Sequence, residues 1–396
     1  MNPDSDLSNR RDFLRFAAAA GALALRPSFA APSSPPANWS KRSVVLRSED
    51  LPGGGLVQNF TSPAEPLDDG RWRLWLSASG KVPFNLGFAE GRPGEKMAVH
   101  MAELSPGDPP DASLAIGNLP EGWRPVQGVH LQLRNGRHRL YFWAHGKGVV
   151  RYLAAESDDG RRYRVMDPLR PCLYHPGDRT VSGEAAAASG LSRLAKKQAK
   201  PEPNEPLAPA SLITNDATNV YQLPDGSFEL ITAALQEVNP SGPRSIAHDN
   251  LAGRIRVIDR FRSADGMRWE DRRRVIEPGD RDPVDQQFYY LSVTHTEQGR
   301  IGILGHYRAE AQTMDLEWCF SEDGLHWQRP SRTPWLPRSA PGALPDSYGV
   351  YAPHNLVQHG GEWHLFYTGT NDAHNHKTSH GPATRVVMHT TLASIR

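Results

Sequence analysis

The feature that most constrains the fold of this chain is a hairpin motif that occurs three times. Residues 157–163, 263–269 and 321–327 all read Ser-x-Asp-Gly-x-x-aromatic. Asp-Gly supplies the positive-φ positions of a tight turn, and the serine hydroxyl can bond turn amides. We expect the aromatic residue to pack between neighbouring sheets. The repeat predicts one architecture of similar β-units rather than two average domains.

Five short runs rich in aromatic and β-branched residues each follow a turn, which is typical of the second strand of a β-unit. The runs are residues 71–76, 138–143, 228–232, 300–304 and 362–367. Five such units in a closed ring predict an all-β fold, namely a five-bladed β-propeller with four-stranded antiparallel blades around a central axis. Two polar stretches, at about residues 181–209 and 237–253, are predicted surface insertions.

The N-terminus predicts export by the twin-arginine route. Arg10 and Arg11 precede Phe13, an uncharged Ala-rich run follows, and Ala30 ends a small-x-small cleavage site. These are the parts of a twin-arginine signal peptide, with an amphipathic first helix as the alternative. We therefore expect residues 1–30 to be the signal, residues 31–396 to form a single propeller domain, and the protein to be periplasmic or secreted.

Composition argues against two classes of partner. Lys and Arg total 45 and Asp and Glu total 44, which gives a formal net charge of +1. A surface that follows nucleic-acid phosphates needs a basic excess, so we expect no nucleic acid. No window after the signal reaches the roughly twenty apolar residues that cross a bilayer, so we expect no membrane span. Two cysteines, Cys172 and Cys319, are too few for a disulfide framework.

Polar residues stand where the innermost strands of a propeller would begin, and these positions converge on one end of the central channel. A purely structural account predicts apolar residues there. Buried polar groups need partners, and the hydroxyls of a sugar supply them. The candidate substrate-binding residues are Asn59, His130, Asn219, Gln286, Asp346, Tyr351, His354 and Asn355. Trp335, in a Pro-rich loop, is the candidate exposed platform for a sugar ring.

The strand and turn pattern resembles the five-bladed propellers of glycoside hydrolase families 43 and 32. Residues 215–221, 282–289 and 351–356 carry the resemblance best. It implies a carbohydrate-active enzyme whose substrate is an oligosaccharide or glycoside. Those families place an acid at the start of the first blade's inner strand, where this chain has Gln58 and Asn59. Their assignment of catalytic carboxylates therefore does not transfer directly.

Glycoside cleavage uses one carboxylic acid as proton donor and a second carboxylate as nucleophile or base. Asp216 and Asp285 open adjacent predicted blades and form the first candidate pair, with Asp282 as a third candidate. Each could instead be a turn residue. His374 and His376 are separated by one residue and are candidate ligands for a divalent metal ion in or near the axial pocket, with solvated loop histidines as the alternative.

Three functions follow from these residues. The first is an exo-acting glycoside hydrolase, or a related carbohydrate-active enzyme, with paired carboxylates in the axial pocket. The second is a non-catalytic glycan-binding propeller, which the missing first-blade acid favours. The third is a metal-dependent propeller enzyme, such as a lactonase or a lyase, built on the histidines.

Overall fold

The structure is a computed structural model that describes residues 39–58, 63–80, 82–175, 178, 211–249, 252–374 and 384–392, without the side chains of 211–216. These residues form 24 β-strands and two short 3₁₀ helices, Ser48–Asp50 and Pro52–Gly54. The described ranges contain no α-helix, and the predicted all-β class is confirmed. Within them, no helix has the length and apolarity to cross a membrane.

The first three sheets each contain one group of strands, and we number the groups in chain order. Group I contains β2 (Leu56–Val57), β3 (Ala64–Pro66), β4 (Trp72–Ser79), β5 (Asn85–Gly91) and β6 (Ala98–Met101). Group II contains β9 (Arg124–Gln132), β10 (His138–Gly146), β11 (Val149–Ser157) and β12 (Arg162–Val165), extended by β7 (Glu103–Leu104), β8 (Ala115–Gly117) and β13 (Leu173–Tyr174). Group III contains β14 (Ser211–Gln222), β15 (Phe228–Glu237), β16 (Arg254–Ser263) and β17 (Glu270–Ile276).

The fourth sheet contains two antiparallel groups. Group IV is β18 (Gln286–Thr296), β19 (Gly299–Arg308) and β20 (Thr313–Ser321). Group V is β21 (Gly349–Tyr351), β22 (Val357–His359), β23 (Glu362–Thr370), β24 (Arg385–Leu392) and β1 (Ser43–Arg47). The groups join where β20 and β21 pair in parallel through Met314 and Gly349. Because β1 pairs with β24, strands from the two ends of the described chain complete group V together.

The five runs predicted as second strands are strands, and the pairing places each one inside its sheet. They correspond to β4, β10, β15, β19 and β23. Each pairs antiparallel with the strand before it and with the strand after it. This prediction is confirmed.

The three repeated hairpins form the turns that the motif predicts. Ser157 Oγ accepts a hydrogen bond from the Gly160 amide at 3.0 Å, and Asp159 Oδ1 accepts bonds from the amides of Arg161 and Arg162 at 2.8 Å each. The same bonds recur in the second and third copies. The glycine has φ of +69°, +75° and +76° in the three copies, a region that favours glycine.

The aromatic residue of each motif packs against the preceding group. Tyr163 is fully buried beside Trp75 of group I. Trp269 and Trp327 are partly buried against cores that groups II and III supply. The prediction that these aromatics lie between neighbouring sheets is confirmed. Both cysteines are buried, and neither forms a disulfide bond.

The two predicted insertions have different outcomes. Residues 181–209 lie outside the described residues. The loop after β15 does run largely over the surface, as predicted for residues 237–253, but its Asp249 is buried. This loop therefore also supplies a residue to the interior.

Candidate functional site

The first strand of each group loses regular pairing partway along its length. The pairing of β9 shifts near Gln127, whose φ is +56°, the pairing of β14 shifts between Ile213 and Thr218, and the pairing of β18 shifts between Phe288 and Leu291. Groups I and V each begin with two short strands, β2 and β3 in group I and β21 and β22 in group V. Bulges redirect side chains and leave backbone groups to bond other elements.

Hydrogen bonds near these breaks connect the groups in a closed cycle. The bonds in order are Gln127 N to Ser77 Oγ (2.8 Å), Trp143 Nε1 to Thr218 Oγ1 (3.2 Å), Asn219 Nδ2 to the Leu291 carbonyl (3.2 Å), Leu356 N to Thr294 Oγ1 (2.9 Å) and Thr368 Oγ1 to the Gln58 carbonyl (3.2 Å). Group I therefore bonds to group II, and so on until group V bonds back to group I.

His354 and Tyr221 connect groups III and V, which are not neighbours in this cycle. The Tyr221 hydroxyl donates to the His354 carbonyl at 2.7 Å, and His354 Nε2 donates to the Val220 carbonyl at 2.8 Å. The two rings stack with centroids 4.4 Å apart. Burial lowers the pKa of His354 to about 4. His354 and the adjacent Asn355, whose amide donates to the Leu356 carbonyl, thus bond to the protein itself.

Arg256 lies over the rings of Tyr289 and Tyr307, His374 packs against both rings, and Tyr351 contacts His374. We call Tyr289, Tyr307, Tyr351, His374 and Arg256 the aromatic cluster. The Tyr351 hydroxyl lies 2.7 Å from His374 Nδ1. The His374 ring is 4.8 Å from the Tyr289 ring and 5.1 Å from the Tyr307 ring. Burial and the nearby charge of Arg256 lower the pKa of His374 to about 3. This imidazole is therefore neutral at ordinary pH.

Asp249 and Gln287 hold Arg256 in the aromatic cluster. Arg256 Nη1 donates to Asp249 Oδ2 at 3.1 Å and to Gln287 Oε1 at 2.8 Å, while the Tyr307 hydroxyl donates to Asp249 Oδ1 at 3.0 Å. Burial alone would raise the pKa of Asp249, but the Arg256 charge and the bonds from Gln287 and Tyr307 outweigh it and lower the pKa. The two charges balance, so the aromatic cluster together with Asp249 is polar and electrically neutral.

Of the first candidate pair, only Asp285 has a described side chain. Asp285 Oδ1 accepts bonds from Arg308 Nε at 2.9 Å and Nη2 at 2.6 Å, and Oδ2 accepts one from the Glu310 amide at 3.3 Å. The backbone of Asp216 lies in the register break of β14. Its neighbour Ala217 belongs to the same buried core as Tyr289 and Tyr351.

Asp282 and Asp346 take part in ion pairs elsewhere. Asp282 accepts bonds from Arg329 and Arg332 at 2.9 Å each and from the Gly279 amide at 2.8 Å. Burial would raise the pKa of Asp282, but these partners lower it overall. Asp346 Oδ2 accepts bonds from Arg42 and from the Tyr367 hydroxyl at 2.9 Å each. Both acids tie distant segments together, and neither contact involves the aromatic cluster.

Two other candidates bond within the protein. His130 stacks on Trp75 with centroids 4.7 Å apart, bonds to Glu65 through Nδ1, and faces His138 Nδ1 through Nε2 at 3.1 Å. It therefore lies in the contact between groups I and II. Gln286 Nε2 donates to the Tyr307 carbonyl at 3.1 Å.

The prediction of an exposed platform at Trp335 is wrong. This side chain is only 6% exposed and packs between Trp39 and Trp318, with ring centroids 4.5 and 4.9 Å away. Its amide donates to the Leu316 carbonyl at 2.6 Å. The loop pairs with the edge of group IV, which turns the indole inward.

The metal hypothesis rests on His374 and His376. His374 lies among tyrosines and a guanidinium group rather than among further ligands, while His376 and the substrate-binding candidate Asn59 lie outside the described residues. In the part of the chain that the structure describes, no set of three His, Cys, Asp or Glu side chains is arranged to hold a metal ion.

Sequence reasoning missed five members of the site, namely Tyr289, Tyr307, Asp249, Arg256 and Gln287. Asp249 falls in a stretch with the composition of a surface insertion, and Arg256 falls in an Arg-rich strand. Alternation along β18, which carries Gln286 and Gln287 in succession, is the one signal that could have identified a second polar side chain there.

Comparison with known proteins shows the fold. No family model matches the chain, and no curated protein matches it. Solved structures do match, over most of this chain and most of their own chains. A thermostable family-43 glycoside hydrolase has a TM-score of 0.51 at 12% identity, covering 87% of this chain and 88% of its own. A β-1,2-mannobiose phosphorylase from Listeria innocua has a TM-score of 0.51 at 11% identity, covering 88% and 94%. Another glycoside hydrolase has a TM-score of 0.50 at 12% identity, covering 86% and 91%.

Proposed function

We propose that this protein is a five-bladed β-propeller that hydrolyses glycosides at its axis and acts on chain ends. Groups I to V are the five blades, and the strands that begin them line the axial site. The bonds between Tyr221 and His354 join two blades that are not neighbours in the ring, which supports a pocket closed at one end and an exo-acting enzyme. The substrate is an oligosaccharide or glycoside.

One observation carries the proposal. Ala217, the chain neighbour of Asp216, shares a buried core with Tyr289 and Tyr351 of the aromatic cluster, to which groups III, IV and V contribute. Tyrosine rings offer apolar faces for sugar rings, and hydroxyl, amide and imidazole groups match sugar hydroxyls. The similarity to a glycoside hydrolase and to a phosphorylase that binds a disaccharide supports a carbohydrate substrate.

In this proposal the two acids have different roles. Both oxygens of Asp285 already accept hydrogen bonds, from Arg308 and from the Glu310 amide, so proton donation to the leaving oxygen falls to Asp216. Asp285 then acts as the nucleophile or as the base that activates water. Asp282 supports the fold through Arg329 and Arg332.

A panel of aryl glycosides with three variants tests these roles. Asp216→Asn and Asp285→Asn should each lower kcat by roughly a hundredfold or more, with little change in Tm, because Asn keeps the shape and removes the acid-base function. Asp282→Asn is the matched control and should lower Tm while the folded enzyme keeps its kcat. Full activity in Asp216→Asn at unchanged Tm would remove that residue from the mechanism.

A second candidate function is glycan binding without catalysis. It is favoured by Asp285, whose oxygens are occupied, and by Gln58, which stands where related propellers have an acid. Wild-type protein that binds glycans but cleaves none of the panel would support this function over hydrolysis.

We also propose export as a folded domain beginning near residue 31. The paired Arg10 and Arg11 before a weakly apolar run support the twin-arginine route. Replacing both with Lys should leave the precursor in the cytoplasm, as measured by cell fractionation. Unchanged periplasmic yield would contradict this route.

A further inference from the structure

Gln312 is a buried glutamine in a strained backbone conformation. It lies in the loop between β19 and β20, is 2% exposed and has φ of +55°. Non-glycine residues rarely adopt this region, and they remain there only where the surrounding structure holds them. Such positions often occur at functional sites.

The hydrogen bonds of Gln312 define which amide atom lacks a partner. Nε2 donates to the Ala309 carbonyl at 2.7 Å and approaches Asp249 Oδ1 at 3.5 Å. Both partners are acceptors, so the nitrogen must face them. Oε1 is shielded from solvent and has no hydrogen-bond donor among the described residues. It is an acceptor that a ligand or a water could satisfy.

His374, next to Gln312, has a second buried polar atom without a hydrogen-bond partner. The His374 amide donates to the Gln312 carbonyl at 2.9 Å, and Nδ1 bonds to the Tyr351 hydroxyl. Nε2 is shielded from solvent and has no partner in the described ranges. In one tautomer of the neutral ring Nε2 is a donor, and in the other it is an acceptor.

Both side chains lie around the same pair, Tyr307 and Asp249. Asp249 Oδ1 faces both the Tyr307 hydroxyl and Gln312 Nε2, and the Tyr307 ring lies 5.1 Å from the His374 ring. A hydroxyl group can donate its proton to Gln312 Oε1 and accept a hydrogen bond from His374 Nε2 in the tautomer that carries the proton there. An ionic ligand fits poorly because Asp249 and Arg256 already balance each other.

We propose that Gln312 and His374 form a subsite that recognises a sugar hydroxyl group. The hydroxyl donates to Gln312 Oε1, and His374 Nε2 bonds to the same hydroxyl or its neighbour on the ring. Both atoms are shielded, so the hydroxyl reaches them only as adjacent side chains move. This inference rests on the proposed glycoside substrate. The competing account is an internal water that bonds both atoms.

Deoxy sugars distinguish the two accounts. The probes are p-nitrophenyl pentosides and hexosides together with their monodeoxy analogues, with kcat and KM measured for substrates and Kd for glycosides that only bind. In wild type, one deoxy position should raise KM or Kd about tenfold or more, because a site built to bond a hydroxyl rejects the analogue that lacks it. Gln312→Met and His374→Phe should bind the parent glycoside about tenfold more weakly and lose this discrimination.

Two further variants keep the test informative. Gln298→Met, at an exposed glutamine in the turn between β18 and β19, is the matched control and should behave as wild type. If Gln312→Met fails to fold, Gln312→Asn replaces it, because Asn tolerates positive φ and its shorter amide should still weaken discrimination.

The outcomes separate this inference from the proposed function. Wild-type discrimination that persists in Gln312→Met and His374→Phe overturns the subsite and supports the internal water, while glycoside hydrolysis stands. Wild-type protein that neither cleaves nor binds any glycoside overturns the proposed function, and the subsite with it.

Discussion

The repeated hairpins and the contacts between the strand groups are bonded over very different distances along the chain. In each hairpin the serine and aspartate bond amides two or three positions away, as Ser157 does with Gly160. Between the groups, His354 bonds Val220 from 134 positions away, and Asn219 bonds Leu291 from 72. A hairpin therefore forms from its own residues, whereas the contacts between groups exist only after the groups have assembled.

The comparison also shows that identical local bonding does not give identical burial. All three motifs make the same turn, yet Tyr163 is fully buried and Trp327 is only partly buried. The neighbouring group determines how much of each aromatic ring is covered. The energetic contribution of a motif therefore depends on the sheet that it packs against.

The largest expected effect is on folding, at the most buried motif aromatic. Tyr163→Ala should lower the free energy of unfolding by about 3–5 kcal/mol, because it opens a cavity against Trp75 that the surroundings cannot fill. Denaturant titration measures the loss. Trp327→Ala at the equivalent position of the third motif should cost clearly less, since its ring is partly exposed. Equal losses would mean that the turn, rather than the packing, sets the contribution.

The second expected effect separates the two regions by pH. Burial lowers the pKa of His354 from 6.5 to about 4 in the folded state, so the unfolded chain binds the proton more readily. The contribution of neutral His354 to the free energy of unfolding is fully present above about pH 6.5. It declines as the pH falls towards 4, by roughly 3 kcal/mol at most. Hydrogen bonds lower the pKa of the hairpin residues Asp159 and Asp323, so their contribution declines only below about pH 4.

His354→Gln tests whether the contribution of His354 to stability is lost at a higher pH than the contribution of the hairpin aspartates. Gln keeps a donor for the Val220 carbonyl and does not titrate, so the decrease in unfolding free energy between pH 7 and pH 4.5 should be smaller than in wild type. His326→Gln, at an exposed histidine of the third hairpin, is the control and should follow wild type. An unchanged pH dependence in His354→Gln would place the acid-sensitive group elsewhere.

The predictions from sequence were accurate where the signal was local. The all-β class, the five second strands and the three hairpins follow from alternation and turn chemistry within a few residues. The carboxylates were harder to interpret, because an aspartate before a strand looks the same whether it faces a substrate or an arginine. Only the tertiary structure shows Asp282 bonded to Arg329 and Asp346 bonded to Arg42.

By itself, the sequence determined the repeating units and the polar character of the residues that begin them, because turns and strand periodicity depend on neighbours in the chain. Tertiary structure decided which polar residues meet. It turned Trp335 inward, bonded His354 to Val220 of another group and brought Asp249 from a surface loop to Arg256. These outcomes depend on contacts between residues far apart in sequence, and no local pattern encodes which distant partner will satisfy a buried polar group.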